Sequence, residues 1–99
     1  MPKIYEYIGY IIFFYSNEHL PVHCHIKKQQ REVKAVIEYN NGKPFVTFMK
    51  VRSKNLLSER ELNDIEEFIL KKHNQIVNKW TDFFVKGKNP SVEKINKKL

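Results

Sequence analysis

Hydrophobic and polar positions along the chain follow one period in its first half and another in its second. "KIYEYI" (3–8) sets Ile4, Glu6 and Ile8 against Tyr5 and Tyr7 before Gly9 interrupts, the two-residue period of a strand. "YIIFFYS" (10–16) is β-branched and aromatic without alternation, as expected of a strand covered on both faces. "SNEHLP" (16–21) reads as a loop, since Ser and Asn favour turns and Pro21 pushes Leu20 toward extended backbone. "VHCHIKK" (22–28) predicts a third strand, "QQRE" (29–32) a connection and "VKAVIEY" (33–39) a fourth strand. In "NNGKP" (40–44), Asn and Gly accept the positive φ of a tight hairpin turn, and "FVTFMKV" (45–51) is the return strand. Five short strands predict an antiparallel meander or a closely related sheet.

From residue 57 the period lengthens. Leu62, Ile65, Ile69, Ile76, Trp80 and Phe83 recur at three- and four-residue steps, one face of a helix that should pack on the sheet. Ser58 with Glu61 forms a capping-box pattern at its start. Glu59, Glu61 and Asp64 come early and Lys71, Lys72 and Lys79 later, in the sense that the helix dipole favours. Gly87 reads as the stop and "KGKNP" (86–90) as a polar linker. Beyond it, Val92, Ile95 and Leu99 have the spacing of one docked helical turn. The expected fold is α+β: one domain over residues 1–85, strands within 3–51 and a helix over 58–85, then a short basic tail over 86–99.

Composition narrows the class. Ninety-nine residues with 41% hydrophobic and 13% aromatic content suffice for one modest core without disulfides or a structural metal. A single cysteine cannot form an internal disulfide. The longest apolar stretch, residues 7–15, is far short of the ~20 needed to span a bilayer, and "MPKIYEY" lacks the marks of a secretory signal. A cytoplasmic protein without a membrane partner is expected. The net charge of +7 is uneven: residues 1–57 carry 9 basic and 4 acidic groups, 58–85 carry 4 and 6, and 86–99 carry 5 and 1. Such an excess raises encounter rates with RNA, DNA or an acidic protein.

Candidate chemistry concentrates in "SNEHLPVHCHIKK" (16–28), which holds three of the four histidines and the only cysteine. On a strand His23 and His25 project from one face, about 7 Å apart, and Cys24 from the other. Two same-face imidazoles suit a general acid and base. They equally suit a divalent metal, with His19 folding back as the third ligand of a site that keeps one position open. They equally suit a structural or surface-binding role. His73 falls on the helix's apolar stripe, and could approach the pair if their face turns inward; a buried imidazole with one hydrogen-bonded partner is the simpler reading. Cys24 reads as a small buried hydrophobe. Lys27, Lys28, Arg31 and Lys34 lie close enough in sequence to meet a polyanion bound beside the triplet, or to guard a strand edge. Motifs for dinucleotides, P-loop phosphates, zinc proteases, C-x-x-C redox chemistry and serine hydrolases are missing from the sequence.

These stretches resemble the small bacterial proteins of the DUF4160 family. That pattern opens with Met-Pro and a short strand. A Phe-Tyr-Ser segment follows, matched by Phe14, Tyr15 and Ser16, then a Pro-Pro-His-x-His-Val block, matched by Pro21, His23 and His25. Lys34 matches the lysine of an Ala-Lys strand, and His73 and Trp80 match positions in a terminal helix. The likeness covers residues 1–84. Val22 replaces the second proline, Cys24 and Ile26 stand where aliphatic residues are usual, and "NNGKP" makes a longer strand–turn–strand. The resemblance implies a partner protein of the DUF2442 type in a toxin–antitoxin-like gene pair, and an RNA or translation target. It supplies no catalytic residues. Three readings follow: a toxin-like protein acting on or near nucleic acid through His23 and His25; a non-catalytic module binding an acidic protein, its histidines structural; and a metal-binding protein.

Overall fold

The computed structural model describes residues 2–16 and 20–99. Strands β1 (Lys3–Tyr7), β2 (Tyr10–Phe13), β3 (His23–Lys28), β4 (Arg31–Asn40) and β5 (Lys43–Lys50) precede helix α1 (Glu59–Phe84), and β6 (Glu93–Ile95) closes the chain. They build one sheet in the order β5-β4-β3-β2-β1-β6. The first five are antiparallel neighbours, whereas β6 lies parallel to β1. The α+β architecture is as the two periods predict. The tail differs: residues 93–95 form a sixth strand rather than a helical turn. The outer edge of β1 offers unpaired backbone groups, and there the Ile8 N–H donates to the Ile95 carbonyl at 3.2 Å. Lys79 Nζ, which donates to the Ser91 carbonyl at 2.9 Å, and an ion pair between Lys98 and Asp64 at 3.3 Å hold the segment down.

Alternation assigns the two faces of the sheet. Tyr5, Ile12, Cys24, Ile26, Val33, Ala35 and Ile37 share the face under α1 and are buried with Ile65, Phe68, Ile69, Ile76 and Trp80 of the helix. Phe68, one residue off the expected stripe, is central: its ring meets Tyr5 edge-on at 5.1 Å and stacks on Tyr7 at 4.2 Å. Burying a side chain of that size stabilises by about 1.5–3 kcal/mol.

The helix begins where its sequence says. The Glu61 N–H donates to Ser58 Oγ at 3.2 Å, and the Ser58 N–H donates to Glu61 Oε1 at 2.8 Å. Asn41 and Gly42 turn between β4 and β5 with φ of 53° and 80°, the left-handed pair of a two-residue hairpin. The connection before β4 is shorter than expected. Only Gln29 and Gln30 turn, Gln29 with φ of 56°, so Arg31 and Glu32 belong to the strand. No helix among the described residues is long and apolar enough to cross a membrane.

Candidate functional site

Cys24 points at the helix, so His23 and His25 must point away from it, with Phe13 of β2 and Glu32, Lys34 and Val36 of β4 as face neighbours. The imidazoles are adjacent, ring centroids 5.6 Å apart at 72°. Both are nevertheless buried, His23 to 2% exposure and His25 to 5%. The Pro21 carbonyl lies 2.7 Å from His23 Nδ1. A carbonyl can only accept, so Nδ1 carries the proton, and in the neutral ring the lone pair sits on Nε2.

His25 is set among Phe13, Tyr15 and Glu32. Its ring stacks on Phe13 at 5.6 Å and takes Tyr15 edge-on at 4.4 Å. Its Nδ1 stands 3.4 Å from Glu32 Oε2, the same oxygen that accepts the Tyr15 hydroxyl at 2.9 Å. Glu32 is 3% exposed, and a carboxylate that deep persists only with donors around it. Neither Glu32 nor Tyr15 stands out in the sequence as a partner of the histidines. Parity would have found Glu32 had the connection been read as two residues, because position 32 then shares the face of position 25.

The other candidates scatter. His73 lies on α1, across the sheet from His23 and His25, and shares a 2.9 Å hydrogen bond between its Nδ1 and the Tyr39 hydroxyl; it does not join the pair. His19 lies outside the described residues. Among the described residues no three His, Cys, Asp or Glu side chains are grouped to hold a metal ion. Burial pushes the Cys24 thiol up to about 12, leaving it neutral, as a small apolar side chain would be.

The four basic candidates divide between the faces. Lys27 and Lys34 lie on the histidine side, Lys27 opposite Glu32 and Lys34 opposite His25. Lys28 and Arg31 converge instead on Glu61 Oε2 at the start of α1, at 3.5 and 3.0 Å, and Lys28 also lies 4.6 Å from the centre of the Tyr10 ring. Hydrogen bonds from Ser58, with Arg31 and Lys28 adding to them, hold the Glu61 carboxyl below its ordinary range.

Concave surface lies elsewhere. A groove of about 330 Å³ is walled by Lys27, Gln29, Gln30, Ser53, Lys54 and Asn55. Two others, of about 460 and 360 Å³, flank the tail around Asn89 and Pro90. None of these three is lined by a histidine.

Comparison with known proteins places this geometry in a family context. The family model described as a domain of unknown function, DUF4160, matches residues 9–81, from the turn before β2 almost to the end of α1. No curated protein and no solved structure matches the chain.

Proposed function

Since the chain belongs to the DUF4160 family, for which the matching description gives no activity, we propose from its own geometry that it is a non-catalytic binding module for an acidic protein partner. In this reading His23 and His25 are structural. The observation that carries it is their burial. An acid–base pair must touch its substrate, and these rings are enclosed by Phe13, Tyr15, Glu32 and the Pro21 carbonyl. The charge of the molecule agrees: Lys43, Lys50, Arg52 and Lys54 have no ion pair among the described residues and remain available to a partner's carboxylates.

The test is expression of wild type and of the His23→Asn/His25→Asn double variant in a bacterial host, with growth and thermal melting followed together. The expected result is growth unimpaired by either protein and a lower melting temperature for the variant. Growth arrest by wild type, relieved in a variant that still folds, would overturn the reading in favour of chemistry at the histidines.

A second reading has its own observation, the groove between Lys27 and Lys54. Its walls hold two lysines, side-chain amides and a hydroxyl, and no acid, a lining suited to phosphate oxygens of RNA or DNA. The toxin-like role near nucleic acid would then operate there rather than at the histidines. Labelled single-stranded RNA whose affinity falls steeply with salt, and which Lys27→Glu and Lys54→Glu both weaken, would support it; salt-independent binding, or none, would sink it.

A further inference from the structure

We infer that the free edge of β5 is the docking edge of this module, taking up an extended segment of the partner protein that carries an acidic residue at each end. The inference rests on the binding-module reading and names its surface. In the strand order β5 stands at one margin, with no further strand beyond it among the described residues. It offers eight residues, against three in β6 at the other margin. An open edge of that length is a template for strand addition.

The backbone pattern says which groups are on offer. The two-residue turn makes Asn40 and Lys43 the closing pair of the hairpin, which is a hydrogen-bonded one. Alternation then directs the backbone groups of Lys43, Phe45, Thr47 and Met49 to β4, and those of Pro44, Val46, Phe48 and Lys50 outward. Proline has no N–H, so Pro44 sits at the outward position where none is lost to the ladder. The outward donors are Val46, Phe48 and Lys50.

Side chains on both faces would meet an added strand. Val46 and Phe48 pack toward the core under α1. On the other face Phe45 and Met49 are 42% and 49% exposed, with Thr47 between them.

Charge selects the occupant. Lys43 and Lys50 bracket the strand, Arg52 and Lys54 follow it, and Glu38, opposite Phe45, is the acid beside them on β4. A second copy of β5 would bring Lys43, Lys50, Arg52 and Lys54 to the shared edge with no acid on either β5 strand, and such like-charge juxtaposition is unfavourable. Carboxylates seven positions apart on the incoming strand, roughly 24 Å at ~3.4 Å per residue, would instead stand opposite Lys43 and Lys50, one on each face of the sheet.

The test is a titration of the ¹⁵N-labelled full chain with a capped peptide, Glu-Val-Thr-Val-Thr-Ile-Thr-Glu. The expected result is saturable shifts and slowed exchange at the Val46, Phe48 and Lys50 amides. Binding should be lost when the peptide amides facing β5 are N-methylated, and should weaken by about tenfold when its two glutamates become lysines. The variant Lys43→Glu/Lys50→Glu should prefer the lysine-ended peptide; the swap on the peptide tests the same contact should that variant not fold. Absence of shifts at the three amides, or binding indifferent to N-methylation or to end charge, overturns the inference. Polyglutamate that shifts Arg52 and Lys54 but not the β5 amides would keep the acidic-partner reading and overturn the docking edge. Binding of single-stranded RNA alone would overturn both.

Discussion

Glu32 and His25 are diagonal neighbours on β4 and β3, with the carboxylate Oε2 3.4 Å from the imidazole Nδ1, and Tyr15 donates to that same oxygen at 2.9 Å. One buried acceptor thus ties the end of β2 to β3 and β4 on the face that α1 leaves uncovered. Deleting the carboxylate strands the Tyr15 hydroxyl and removes the contact with His25. Glu32→Ala should therefore destabilise by roughly 1–3 kcal/mol, with Glu32→Gln milder. Tyr15→Phe should cost clearly less in the Glu32→Ala background than in wild type, because the two groups share one interaction. Urea denaturation of the four-member cycle checks both expectations; additive costs would show that the hydrogen bond contributes nothing to stability.

Alkaline pH should weaken the fold through Cys24. Its thiol, with an ordinary value of 9.0, is pushed up to about 12 by burial. The unfolded chain therefore releases this proton near pH 9 while the folded chain holds it. The folded state binds more protons across that window, so stability is intact below pH 9 and falls as pH rises toward 12. Tyr5, raised from 10.0 to about 12 by burial first and by Glu93 and Cys24 after it, acts in the same direction. Melting temperatures of wild type and Cys24→Ala over this range should converge as pH rises. Thiol labelling of the native protein should be slow and should track unfolding.

At the other end of the scale Glu61 matters. Its pKa is lowered chiefly by the Ser58 backbone hydrogen bond. It therefore contributes stability that is present above its ordinary value of 4.5 and lost as pH falls through the depressed folded value. Ser58→Ala should cost about 1 kcal/mol as a lost cap. Glu61→Gln should flatten the acid limb of the stability curve while leaving most of the helical circular dichroism. An unchanged acid limb would show that Glu61 is not the group titrating there.

The tail should behave as part of the sheet. Ending the chain after Pro90 removes β6 and with it the acceptor for the Ile8 N–H and the partner of the Tyr7 hydroxyl, which accepts from the Leu99 N–H at 3.1 Å. Amide exchange at Ile8 should accelerate and the denaturation midpoint should fall. Unaltered exchange would show that the parallel pairing contributes nothing in solution.

Phe68 should be among the costliest single truncations. It is fully buried and its ring touches both Tyr5 and Tyr7, so Phe68→Ala should lose about 3–5 kcal/mol. A loss below 1 kcal/mol in urea denaturation would mean that the core closes over the cavity.

The features legible in the sequence alone are those written over short distances. The two-residue alternation of the strands, the turn at Asn41–Gly42, the capping box of Ser58 and Glu61 and the helical stripe all rest on neighbours within a few residues, where backbone sterics and local hydrogen bonds decide. The opposite orientation of Cys24 and its flanking histidines was legible for the same reason. Tertiary structure decided the rest. Whether the His23 and His25 face was covered depended on Tyr15 closing over it, and the role of Glu32 on a turn being two residues long rather than four. Lys28 and Arg31 were drawn from the supposed basic patch by Glu61, thirty positions further on in the case of Arg31. The tail became a strand only because β1, more than eighty residues earlier, left an edge for it. Each of these is a contact between segments remote in sequence, where burial and pairing across the fold override the preference that a short stretch would show alone.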